Sequence, residues 1–194
     1  MPSAAVLIAD GTEEMEFTIT YDTLVRAGIS SRSLFVKDPA GAEDIPPFAT
    51  CSRGVRIMYD GNFEEEAFGG YDALVIPGGA KGADTISSNL QVQKLVREFL
   101  DAGKVVGMIC AGSLTALTSS LPRQPITSHP SVKPQLENHF EYSEEPVVVS
   151  GKLVTSRGPG TTFPFALTLV SLLCGAEKRA EVQGPMVFPE GTPL

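Results

Sequence analysis

No apolar run in the 194 residues is long enough to span a bilayer, which argues against a membrane-embedded chain. Basic residues are scarce: 15 Lys and Arg stand against 23 Asp and Glu, a formal charge of −8. A surface of that sign is a poor match for nucleic acid or anionic membrane, so neither is expected as a partner. No basic region precedes the first strand-like segment, so no signal peptide is expected. Cysteine is sparse as well. Cys51, Cys110 and Cys174 cannot all pair within one chain, and their wide spacing matches no zinc pattern. A reducing compartment follows as the expectation, the cytoplasm and also the nucleus. There is no internal repeat, low-complexity tract or interdomain linker, so residues 1–194 are read as one domain.

What is present is a series of compact apolar runs, each followed by small or polar residues. The stretch 105–112 matters most. It begins as an apolar strand, reaches Cys110, and continues with Ala111 and Gly112 into residues that suit a helix. A strand turning sharply into a helix exposes the turn residue at the carboxyl end of a sheet. This is the logic of a nucleophile elbow, with Cys where hydrolases place Ser. A helix amino terminus and nearby backbone N–H groups would favour the thiolate there. A small buried residue ending a strand is the competing reading.

Residues 4–9 read as a buried strand, and 10–12 as a turn leading into a helix that Gly28 stops. Glu16 falls in the first turn, either as a solvated carboxylate or pointing inward with a raised pKa. A second strand covers 33–36, a surface loop 37–47, and a half-exposed strand 55–59. Residues 71–76 form a buried strand followed by a glycine-rich loop at 77–82. That loop lacks both the Lys-Ser/Thr ending of a P-loop and the Rossmann glycine spacing. It is either a plain turn or an anion-holding loop around Gly79. Val92, Leu95, Val96, Phe99 and Leu100 repeat at helical spacing. A brief strand-like piece at 126–128 precedes His129, which is either structural or catalytic. His139 sits in a helix tail. Residues 147–155 read as a hairpin and 161–174 as a buried helix. The tail from 176 is left to pack on the surface or on a partner.

Strands alternating with helices predict a doubly wound, mostly parallel sheet with helices on both faces. Sites in such sheets gather beyond the strand carboxyl ends. Glu16, Gly79, Cys110 and His129 all lie just past predicted strands.

The segments at 9–16, 75–79, 109–112, 128–130 and 155–161 occur in order along the chain. Together they closely resemble the parkinsonism-associated deglycase (DJ-one) family of the PfpI-type superfamily, along nearly the whole length. The resemblance implies a flavodoxin-like α/β fold, a homodimer, and an oxidation-sensitive cysteine. It implies a glutathione-independent glyoxalase, needing no cofactor, that turns methylglyoxal or glyoxal into lactate or glycolate. Protein deglycation and defence against oxidative stress are further implications. Carried over by motif, Cys110 is the nucleophile, Glu16 its carboxylate partner and His129 the nearby imidazole. The N–H groups of Gly79 and Ala111 would hold an oxyanion, and Arg26 and Arg53 would lie near the pocket. Ser113 departs from the Pro often found in close relatives. The segment 121–125 is short, the loop 37–49 is longer than usual, and the carboxyl tail extends further. A non-enzymatic redox sensor, or a chaperone switched by oxidation of Cys110, uses the same residues and is the alternative. A peptidase would need a Cys110–His129 dyad. An amidotransferase would carry Glu where Ser131 stands.

Overall fold

The computed structural model describes residues 1–41 and 46–194; residues 42–45, part of the expected 37–47 loop, lie outside the described residues. Strand β1 (Ser3–Ile8), helix α1 (Glu14–Arg26), and strands β2 (Ser30–Phe35), β3 (Phe48–Thr50), β4 (Arg56–Met58) and β5 (Gly61–Asn62) come first. Then follow β6 (Ala73–Ile76), α2 (Ala80–Ser88), α3 (Leu90–Asp101), β7 (Val105–Ile109) and α4 (Leu114–Thr118). The chain closes with β8 (Pro125–Ile126), α5 (Lys133–Leu136), β9 (Glu141–Tyr142), β10 (Val147–Ser150), β11 (Leu153–Ser156), α6 (Thr162–Cys174) and α7 (Ala176–Gln183).

Seven strands form the main sheet in the order β10-β11-β7-β6-β1-β2-β5. All neighbours are parallel except the β10–β11 hairpin. Its parallel core, β2-β1-β6-β7-β11, is the flavodoxin-like strand order. Every residue of β6 and β7 is buried, as expected of apolar runs covered on both faces. Helices α1 and α6 pack on each other and against β1, β2, β7 and β11. Helices α2 and α3 form a second group against β1, β6 and β7. The two groups enclose one continuous apolar core.

Gly107 lets α6 close on β7: a Cβ there would lie 2.9 Å from Phe165 Cζ. No helix among the described residues is long and apolar enough to cross a membrane.

Several elements differ from the sequence expectation. The glycine-rich segment is shorter than 77–82, because α2 begins at Ala80. Gly82 does not break that helix. It brings α2 against the β1–α1 turn, where a Cβ would stand 2.5 Å from the Thr12 nitrogen. The end of the expected 37–49 loop is a strand, β3, paired antiparallel with β4. The strand before His129 belongs to a separate β8–β9 pair, not to the main sheet. His139 lies in a turn past α5, its N–H donating to the Leu136 carbonyl. The tail forms α7, packed on α6.

Candidate active site

The chain leaves β1 and reverses before entering α1. The Ala9 N–H donates to Thr12 Oγ1 at 2.9 Å, and the Glu16 N–H donates to Glu13 Oε2 at 2.8 Å. Glu13 is thus the helix cap, satisfying an amide the helix leaves open. With the helix start fixed, Glu16 points inward and is fully buried. Its Oε2 accepts the Gly78 N–H at 2.7 Å. Its Oε1 is buried with no hydrogen-bond partner among the described residues.

At the end of β7, Cys110 adopts φ +60°, a left-handed conformation that strains a non-glycine residue. This is the sharp turn expected of an elbow. Cys110 is buried, and its Sγ and Glu16 Oε2 border the same point, lying 2.9 Å and 2.6 Å from where a Cβ on Gly78 would stand. Gly79 and Ala111 line the same cavity as Cys110, and their N–H groups act to lower its thiol pKa. Gly79 has φ +88° and caps α2, a conformation that suits glycine. Gly78 has no room for a side chain: a Cβ would lie 2.5 Å from Cys110 Cβ and 2.6 Å from Glu16 Oε2. Gly112 is confined in the same way, its Cβ position lying 2.6 Å from the Pro77 carbonyl oxygen.

Burial pushes the Glu16 carboxyl up to about 7. The hydrogen bonds from Cys110 and Gly78 pull against this, and the charge of Glu13 adds to it. Burial, and then the charge of Glu16, push the Cys110 thiol up to about 12, outweighing the Ala111 and Gly79 N–H groups. This corrects the expectation of a favoured thiolate. Residues Cys110–Ser113 form a tight 3₁₀ turn ahead of α4, so no α-helix begins at the sulfur.

His129 stands beside this pair. Its N–H reaches the Cys110 carbonyl at 3.4 Å. Its Nδ1 lies 2.8 Å from Ser131 Oγ and accepts the Ser131 N–H at 3.2 Å. The neutral ring therefore carries its proton on Nε2.

A cavity of about 700 Å³ opens above Cys110, with Gly79, Ala111 and His129 in its wall. Asp10, Glu13, Cys51, Arg53 and Lys81 also line it. Cys110, Glu16, Gly79, Ala111 and His129 are therefore brought together, with Arg53 at the rim. Arg26 is not. It ends α1, exposed and paired with Asp22 at 2.6 Å. It lies ten residues beyond Glu16, about 15 Å along the helix axis at the rise of an α-helix.

The sequence reading gave no role in the site to Gly78 or Glu14, and named Ser131 only as an argument against an amidotransferase. Glu14 accepts the Ser52 hydroxyl at 2.7 Å and the Arg53 N–H at 2.8 Å, fastening the cavity rim to α1. Burial works upward on its carboxyl, but these bonds and those from its own backbone and Val55 hold it below the ordinary value. In the sequence, Glu13 and Glu14 simply suit a helix start through its dipole. Nothing local marks a partner so distant in sequence. Ser131 lay within reach, as the residue after His-Pro that can turn back onto the ring. Among the described residues no group of three His, Cys, Asp or Glu side chains is placed to hold a metal ion.

Residues 2–172 match the DJ-1/PfpI family. The chain is 37% identical over 196 residues to the Schizosaccharomyces pombe protein named glutathione-independent glyoxalase DJ-1, covering 97% of this chain and 100% of that one. It is 37% identical over 191 residues to the Danio rerio Parkinson disease protein 7 homolog, covering 96% and 97%. The solved structure of Schizosaccharomyces pombe DJ-1 superposes with a TM-score of 0.89 at 36% identity, over 96% of this chain and 100% of that one. That of Drosophila melanogaster DJ-1beta gives 0.88 at 36%, over 97% and 98%. With its strand order, its cysteine elbow and these full-length likenesses, the chain belongs to the DJ-1/PfpI family.

Proposed function

We propose that this chain is a glutathione-independent glyoxalase of the D-lactate dehydratase type, acting on methylglyoxal and glyoxal. The observation that carries the reading is the buried Glu16 carboxyl set beside the Cys110 sulfur, with one oxygen held by the Gly78 N–H and the other unpartnered among the described residues. A carboxyl near 7 can take and return a proton at neutral pH.

The raised thiol pKa means that Cys110 reacts as its proton leaves. The sulfur adds to the aldehyde carbon C1, Glu16 takes the thiol proton, and the C1 oxygen receives it. The N–H groups of Gly79 and Ala111 hold that oxygen while it is negative. Glu16, again a carboxylate, removes the C1 hydrogen to give an enediol and returns a proton to C2. C1 is thereby oxidised to a thioester and C2 reduced to an alcohol. Water hydrolyses the thioester, and lactate or glycolate leaves as Cys110 regains its proton. His129 assists the proton movements at C2. Arg53 is the cation at the mouth. Arg26 has no part in these steps within one chain.

The test is lactate formation from methylglyoxal by purified protein without glutathione. Cys110→Ser is expected to abolish turnover. Glu16→Gln should lower it about a thousandfold, as loss of a general base does. Full activity in Cys110→Ser would overturn the mechanism.

The reading includes action as a single unit over residues 1–194 and as a homodimer. It places the protein in the cytoplasm and nucleus, in keeping with its three unpaired cysteines. Deglycation of proteins belongs to it as attack by the same sulfur on an aldehyde-derived adduct.

A further inference from the structure

The glyoxalase chemistry needs two carbons beside one carboxyl, because Glu16 must take a proton from C1 and deliver one to C2. Glu16 Oε2 is occupied by the Gly78 N–H. Oε1 is buried and unpartnered among the described residues, so it is the oxygen free to serve both carbons. What borders Oε1 therefore borders C2.

Gly158 lies there. A Cβ at that position would meet only two atoms within 4 Å: His129 Cδ2 at 3.5 Å and Glu16 Oε1 at 4.0 Å. Both are ordinary van der Waals distances. The backbone does not demand glycine either, since φ 168° and ψ −168° are extended values open to any residue. The loop is also tied in place. The Gly158 N–H donates to Thr161 Oγ1 at 3.0 Å, and its carbonyl accepts the Thr161 N–H at 2.9 Å. Neither strain nor crowding explains a missing side chain here. The missing side chain leaves room for one methyl-sized group in contact with the unpartnered oxygen and the imidazole edge.

We infer that Gly158, His129 and Glu16 Oε1 bound a subsite for the group carried on C2 of a 2-oxoaldehyde, with Gly158 setting the largest group admitted. Hydrogen, as in glyoxal, and methyl, as in methylglyoxal, enter it. A side chain at 158 competes for the same space. The inference rests on the glyoxalase reading, and the cavity volume alone does not give it, because the wide outer cavity would accept much larger groups.

The experiment compares kcat/KM for glyoxal, methylglyoxal and phenylglyoxal in the wild type, Gly158→Ala and Gly158→Ser. The ratio of two substrates within one protein does not depend on how much of a variant is folded. The methylglyoxal-to-glyoxal ratio is expected to fall about tenfold in Gly158→Ala, the scale on which one methyl group is discriminated. It should fall further in Gly158→Ser, and the phenylglyoxal-to-glyoxal ratio should fall more than the methylglyoxal ratio in both. Unchanged ratios, or loss of all three substrates together, would overturn the subsite while leaving the glyoxalase reading intact. Absence of turnover in the reduced wild type would overturn both.

Discussion

Glu16 is fully buried and, among the described residues, is in no ion pair, so its protonation is tied to folding. In the unfolded chain its carboxyl titrates near the ordinary 4.5; in the folded protein it titrates near 7. Between these values the folded form holds a proton that the unfolded form has released. The stabilisation from this group is complete below about 4.5 and is lost as pH rises to and through 7, by roughly 3 kcal/mol. Glu16→Gln keeps an oxygen for the Gly78 N–H but cannot ionise. Its stability relative to the wild type should therefore rise from pH 5 to pH 8. Urea denaturation of both proteins across that range checks this, and a constant difference would mean that Glu16 is not held near 7. The position of Glu16, one turn into a helix after a strand, was legible in the linear pattern. The shift of Cys110 was not, because it comes from burial and from a carboxylate 94 residues away in sequence (110 − 16).

Among elements, the legible ones are those whose apolar runs are unbroken. β1, β6 and β7 are covered on both faces and α6 is apolar nearly all round, so burial and sequence say the same thing. α2 escaped because Gly79 and Gly82 read as a loop, whereas each glycine lets backbone pass close to the β1–α1 turn. The β3–β4 hairpin was half seen, since β3 directly follows a Pro- and Gly-containing stretch that reads as loop. It reaches the site through polar bonds that no periodicity encodes. The Thr50 N–H donates to Asp10 Oδ1 at 2.8 Å, and Glu14 receives Ser52 and Arg53. This gives Glu14 a positioning role for the cavity rim. Glu14→Ala removes those two acceptor contacts and is expected to cost ~1–3 kcal/mol of stability, as lost charge-assisted bonds do. It should raise KM for methylglyoxal severalfold with kcat nearly unchanged, while Glu14→Gln keeps part of the effect. A fall in kcat alone, with KM intact, would place Glu14 in the chemistry instead.

The scale of the whole molecule brings in a surface that the single chain leaves uncovered. Met15 and Val25 on α1, Val55 beside β4 and Met58 on β4 are about half exposed or more, Met58 at 75%. A groove between α1 and the β4 region is lined by Phe17, Tyr21, Val25, Ile57 and Met58. The other exposed large apolar residues, among them Leu90, Val149 and Val187, stand on separate elements. Apolar side chains gathered on one face are a feature of association surfaces. A twofold pairing of this face with itself would cover it and satisfy the proposed homodimer. The same helix that offers Met15 and Val25 outward presents Glu14 to the rim and Glu16 to Cys110, so pairing would brace the active site from behind. Sedimentation velocity should give twice the 20.6 kDa of one chain for the wild type. Met58→Glu buries a charge in that contact and should shift the protein toward the single-chain mass at micromolar concentration, with its circular dichroism unchanged. A wild type that sediments as one chain refutes the dimer; a dimer unmoved by Met58→Glu refutes this face.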